Sequence, residues 1–183
     1  MNPFQTTRVD GNQVIIRRGA HPEEVHTFAS AAEAAARAAI VEEAFGWIGT
    51  PFRNCADIKG PKGGVDCAML AVRCYVDTGR LAPFDPRPYP PGWMLHHSEE
   101  KFLGWISDRL GARQVDSPRL ADVPVWQFGR CFSHCGIMVN SREAVHALKP
   151  AGMVTLTRID EHFLRFHKGN WAKPVKFFDV WDS

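Results

Sequence analysis

Cys67 follows Asp66 in the stretch Val65-Asp66-Cys67-Ala68-Met69-Leu70, and two histidines, His134 and His146, stand downstream in apolar, strand-like runs. Asp66 has the type and position of a helix N-cap, which puts Cys67 in the first helical turn. A thiolate there gains from the helix dipole and from unpaired backbone amides, which draw a cysteine pKa from about 8.5 toward neutrality. The same amides suit the oxyanion of an acyl-transfer intermediate. Cys67, Leu70, Ala71 and Cys74 recur at helical spacing, so the sulfur faces whatever the helix packs on. The alternative is a buried cysteine filling apolar space. A nucleophilic thiol needs a base within hydrogen-bond reach, and the base needs an orienting group. His134, in His134-Cys135-Gly136-Ile137-Met138-Val139, and His146, in Ala144-Val145-His146-Ala147, have the right chemistry for those roles. They sit twelve residues apart, an even offset. On neighbouring hairpin strands they share a face only if the loop has an odd length or the strand carries a bulge. Otherwise they are two strand histidines with no joint role.

The elements that must position these groups follow from periodicity. Thr6 to Val9, a turn at Asp10-Gly11, and Val14 to Arg17 read as a hairpin within an N-terminal extension, residues 1–29. Ser30 and Glu33 form a capping box that opens a helix to about Trp47, with Ala34, Ala38, Val41 and Phe45 on one face and Gly46 and Gly49 at its end. The second helix spans Asp66 to about Asp77. Residues 82–92 hold Pro83, Pro86, Pro88, Pro90 and Pro91, which excludes regular structure. A third helix, Ser98 to Leu110, turns Phe102, Leu103, Ile106 and Leu110 inward and stops at Gly111. The period then changes to two: Val123–Phe128, His134–Asn140, Ala144–Leu148, Val154–Thr157 and Val175–Val180 read as strands, with a short helix at Asp160–His167. Helices first and strands second indicate α+β with an antiparallel sheet. Residues 30–183 form a single domain, with no repeat or low-complexity segment.

Composition agrees. The chain has 183 residues, 45% hydrophobic and 23% charged, enough for one globular core. A net charge of +2 argues against nucleic acid as partner. Five cysteines, an odd count, indicate reduced thiols rather than a disulfide framework. Met1-Asn2-Pro3-Phe4-Gln5 lacks the basic head and apolar run of a signal peptide, and no stretch is long enough to span a bilayer. Synthesis in a cytoplasm is the expectation, with no membrane insertion.

Several blocks together resemble the NlpC-type cysteine peptidases: Gly49-Thr50-Pro51-Phe52-Arg53, Val65-Asp66-Cys67-Ala68-Met69-Leu70, Ser133-His134-Cys135-Gly136-Ile137 and Ala144-Val145-His146-Ala147. Their order and spacing match across roughly residues 40–150, which is more specific than any single block. The resemblance implies a papain-like α+β fold, with N-terminal helices on a five- or six-stranded antiparallel sheet, and hydrolysis of peptide bonds in bacterial peptidoglycan stem peptides. It implies Cys67 as nucleophile, His134 as base and His146 as orienting third member. Asp66, Phe52 and Arg53 would bind substrate, with Asp66 open to a free amino terminus if the cap does not occupy it. Phe52 stands where the family usually has Tyr, which removes a hydroxyl. Ala68-Met69 replaces a Ser-Gly pair, and Cys135 stands where Val is usual.

Tyr89 to His97 and Phe128 to His134 resemble the phage tail members of that family. This implies a tail-tip component with other tail proteins as partners, delivered by the virion to the host envelope. Alternatives are a structural tail-tip or binding module, and an amidase or acyl transferase on the same fold. No cofactor is expected. Cys131, His134 and Cys135, with Cys55 or His146, make an alternative zinc grouping, but alternate strand faces separate His134 from Cys135 and no second Cys pair exists. Asp57, Asp108 and Asp122 form no recognisable acid pair. Trp93, Trp105, Trp126 and Trp171 are core residues, or line a groove or a subunit contact. The proline-rich segment is a lid, a docking strip or a rigid surface connection.

Overall fold

Where the apolar residues alternate, strands form, and where they recur at helical spacing, helices form. A computed structural model describes residues 4–90, 99–159 and 174–181. The N-terminal segment folds as β1 (Thr6–Asp10) and β2 (Gln13–Arg17), paired from Thr6 with Arg17 to Asp10 with Gln13. A further strand, β3 (Glu24–Thr27), extends the expected hairpin to a three-stranded sheet. Its Glu-Val-His-Thr sequence leaves Val25 exposed, so it carries no apolar signal. Val14 and Ile16 of β2 are buried in the main core.

Helix α1 (Ala31–Gly46) starts with the expected reciprocal cap: the Glu33 amide donates to Ser30 Oγ at 3.1 Å, and the Glu33 carboxylate accepts from the Ala29 amide at 3.1 Å. Ala34, Ala38, Val41 and Phe45 are buried, as their spacing requires. A short ladder of β4 (Asp57–Ile58) and β5 (Gly64–Val65) leads into α2 (Cys67–Asp77). Residues 82–90 have no regular structure. Helix α3 (Lys101–Leu110) buries Ile106 and ends on Gly111 at φ 61. Ser98, expected to open α3, lies outside the described residues, as do the Asp160–His167 helix, Trp93 and Trp171.

The remaining strands are β6 (Arg113–Val115), β7 (Val123–Phe128), β8 (Cys131–Cys135), β9 (Ile137–Met138), β10 (Glu143–Leu148), β11 (Met153–Arg158) and β12 (Val175–Asp179). All pairings between them are antiparallel. In place of one sheet there are two ladders, ordered β6-β12-β7-β8 and β11-β10-β9. The run expected as one strand, His134–Asn140, is divided at Gly136, where β8 gives way to β9. Bonds from the Gly136 amide to Pro124 O (3.2 Å) and from the Met138 amide to Asp122 O (2.9 Å) keep β7 alongside both pieces. The protein is thus mixed α and β, with three helices and several antiparallel sheets. Helix α2 packs against both β8 and β10, and its Leu70, Ala71 and Cys74 share one buried core with Val125, Cys135, Ile137 and Val145. Cys55, Cys67, Cys74, Cys131 and Cys135 are all free thiols. Among the described residues, no helix is long and apolar enough to cross a membrane.

A cluster of charged groups sits inside this core. Arg37 of α1 is fully buried and pairs with Glu33 at 2.8 Å, Asp122 at 2.8 Å and Asp179 at 2.7 Å. Three carboxylates gather on Arg37, and the half-buried Arg119 guanidinium lies 3.8 Å from Glu33 as a second, more distant cation. Burial, reinforced by Asp179, pushes Asp122 up to about 6 despite its bonds from the Arg119 amide and Arg37. A carboxyl with a folded pKa above its unfolded value of about 3.9 holds its proton more tightly when native, so its contribution to stability grows as pH falls through 6 toward 4. The protein should gain about 1 kcal/mol relative to Asp122→Asn between pH 7 and pH 5. Urea unfolding of both proteins at the two pH values checks this; equal pH slopes would contradict it.

Candidate active site

The backbone that delivers Cys67 is fixed on both sides. The Val65 amide donates to Pro51 O and the Arg53 amide to Val65 O, each at 3.0 Å, which sets the Pro51–Arg53 segment beside the approach to α2. Phe52 is half-buried against the core, and Arg53 lies exposed with its stem across Gly64, where any Cβ would meet Arg53 Cδ at 2.4 Å. Asp66 caps α2 as expected, accepting from the Met69 amide at 3.0 Å. Cys67, half-buried, is the first residue of the helix, and its own amide and that of Ala68 have no partner within the helix.

Gly136 and an odd loop bring the histidines together. Val139 pairs with Glu143 through its amide, so Asn140-Ser141-Arg142 is the loop, of odd length. His146 then falls opposite Gly136, and His134 shares its face as a diagonal neighbour. A Cβ at Gly136 would lie 2.7 Å from Val145 O and 2.9 Å from His146 Cβ, so only glycine lets β10 approach here. A bulge at Trp126/Gln127 adjusts β7 beneath them. His134 Nε2 meets His146 Nδ1 at 2.9 Å, and His146 Nε2 meets Thr157 Oγ1 at 2.7 Å. The fully buried Trp126 ring lies 5.5 Å from each imidazole, and Phe128 lies 5.1 Å from His134.

The electrostatics are polarised. Burial, with the charge of His134 alongside, drives His146 well below the usual histidine range, so it is neutral at ordinary pH. The Cys67 thiol is held well below its ordinary value, first by a hydrogen bond from the Cys135 thiol and then by the charge and hydrogen bonding of His134. Cys135, fully buried, moves the other way through desolvation and the neighbouring Cys67. Of the two thiols, Cys67 is therefore the one that ionises. Cys135 Sγ also lies 3.2 Å from Cys67 O. Asp66 is raised by burial and by the charge of Cys67. A thiolate at a helix start, an adjacent imidazole and a neutral second imidazole behind it are equipped for nucleophilic acyl transfer.

Cys67, His134, His146 and Asp66 are thus brought together. Phe52 and Arg53 border the approach to α2. Three further side chains join the site without a sequence signal of their own. Thr157 holds the far nitrogen of His146, Cys135 hydrogen-bonds to Cys67, and Tyr89 donates to both Asp66 oxygens at 2.8 Å. Only the Val-to-Cys departure at Cys135 could have drawn attention. Among the described residues, no group of three or more His, Cys, Asp or Glu side chains is arranged to hold a metal, so the zinc grouping of Cys131, His134 and Cys135 is not assembled. Cys74 is core, and Trp105 packs on Phe84 and Phe102. His96, His97, His162 and His167 lie outside the described residues.

No family model matches the chain, and no curated protein matches it. Among solved structures, the NlpC/p60 domain of the peptidoglycan hydrolase SagA is similar in shape, with a TM-score of 0.46 and 18% identity, covering 76% of this chain and 96% of that one.

Proposed function

We propose that this protein is a cysteine peptidase that hydrolyses peptide bonds in peptidoglycan stem peptides. The observation that carries the reaction class is the polarised line from the Cys67 thiolate through His134 to a neutral His146. The motif blocks around Cys67, His134 and His146 support the substrate class. The Cys67 sulfur attacks the scissile carbonyl carbon, and the first-turn amides of α2 stabilise the oxygen that becomes negative. With His134 protonated, its Nε2–H donates to His146 Nδ1, and the Nε2–H of His146 then points to Thr157 Oγ1. His134 gives its other proton to the leaving amine, so the C–N bond breaks and a thioester remains. Water, deprotonated by His134, attacks that thioester and releases the acid and the thiol.

The test is digestion of purified sacculi by the wild-type protein, with products read by mass spectrometry. New amino and carboxyl ends within stem peptides are the expected result. Loss of a side-chain amide alone would mean an amidase, and no product at all would favour a structural or binding module. The expected setting is a phage tail tip, supported by the sequence from Tyr89 to His97 and Phe128 to His134; tail fractions of purified virions should contain the chain.

A further inference from the structure

The Asp66 carboxylate is 5% exposed and already accepts from three donors. The Cys55 amide donates to Oδ2 at 2.6 Å, the Met69 amide to Oδ1 at 3.0 Å, and the Tyr89 hydroxyl to both oxygens at 2.8 Å. Three donors and near-complete burial leave the carboxylate closed to a further partner while the phenol is in place. Tyr89 is not there by chance, because the strand of chain that carries it is tied down. Arg87 donates to Cys55 O at 2.9 Å and pairs with Asp57 at 3.2 Å, and Cys55 Sγ lies 3.5 Å from Tyr89 O. Cys55 itself adopts φ 55, a left-handed conformation unusual for a residue with a side chain, and in it the Cys55 amide reaches Asp66. The proline-rich segment is therefore a strap across the loop before α2, and its phenol reaches Asp66, the residue next to the nucleophile in sequence. Phe52, on the other flank, has no hydroxyl to offer.

We infer that Tyr89 is a specificity-determining residue that closes Asp66 to a substrate amino terminus, so that the enzyme takes interior, amino-acylated stem-peptide segments. An ammonium group could reach Asp66 only by displacing the phenol and loosening the strap. A neutral acylated segment makes no such demand. This rests on the peptidase reading above.

The test compares a matched pair of stem-derived peptides, one with a free amino terminus and one N-acetylated, cleaved by the wild type, Tyr89→Phe and Arg87→Gln. The wild type should cleave the acetylated peptide at least as well as the free one. Tyr89→Phe, which keeps the ring, should shift kcat/KM toward the free peptide by about tenfold or more, the size of one hydrogen bond to a charged group. Arg87→Gln, which unties the strap and leaves the phenol in place, should shift the ratio in the same direction. A wild type that strongly prefers the free amine, or variants with an unchanged ratio and unchanged thermal unfolding, would overturn the inference and leave the peptidase standing. Cleavage of neither peptide, together with inert sacculi, would remove the peptidase reading and this inference with it.

Discussion

Cys67→Ala should lower stem-peptide turnover by at least about 10⁴-fold, because it removes the sulfur that forms the acyl intermediate in the proposed reaction. Stability should stay within about 1 kcal/mol, since the side chain is half-buried and small. His134→Ala should cost nearly as much, because the thiolate loses its partner and the leaving amine its proton donor. His146→Ala should cost less, since His146 orients and does not transfer. The pH profile separates the roles further. The hydrogen bond from Cys135 supports the Cys67 thiolate, so Cys135→Val should raise the pH midpoint of Cys67 alkylation, and His134→Ala should raise it as well. Peptide mass spectrometry after timed alkylation, with Cys55 and Cys131 as internal references, reads both. Peptide cleavage that survives Cys67→Ala would end the nucleophile assignment.

Arg37→Met should destabilise the fold by about 3–5 kcal/mol, because Asp122 and Asp179 would be left buried without their cation. For a chain of this size that lowers the melting temperature by roughly 10 °C. The loss is structural as well as ionic. The Arg37 guanidinium stacks 4.1 Å from the Trp181 ring and 5.0 Å from Phe28, so one side chain joins α1 to the last strand's exit and to the turn before the helix. Adding Asp122→Asn to Arg37→Met should recover part of the loss, since one stranded carboxylate is gone. Chemical denaturation of the three proteins decides the matter. A single-variant loss below about 1 kcal/mol would show that Arg37 is no anchor.

These two sites differ in how far the sequence reveals them. The α2 start is legible because Asp66 and Cys67 act within one turn, and a cap is a local signal. The same holds for Ser30 with Glu33 on α1. The meeting of His134 and His146 depends on the parity of a loop. Asn140-Ser141-Arg142 carries no residue that dictates an odd count, so the outcome is visible only in the register. Gly136 is the one local hint, because a missing side chain in an apolar strand signals close backbone approach. Arg37 is legible only as an i,i+4 partner of Glu33: it stands in an alanine-rich helix, and its buried partners Asp122 and Asp179 lie 85 and 142 residues away. Tyr89 is hidden for a related reason, since a proline-rich run has no period from which to read an inward face. The two-residue strands β4 and β5 are too short for alternation to register.

The thiol and the imidazoles come from different layers of the molecule: Cys67 from the first turn of α2, His134 and His146 from strands that α2 packs upon. Their alignment is therefore only as good as the fit between helix and sheet, and a slip smaller than any spectroscopic change in secondary structure would separate sulfur from base. The reactivity of Cys67 is in that sense a built-in gauge of core integrity. On warming it should fall away before the helices melt, and that early fading would show the interface loosening ahead of its parts.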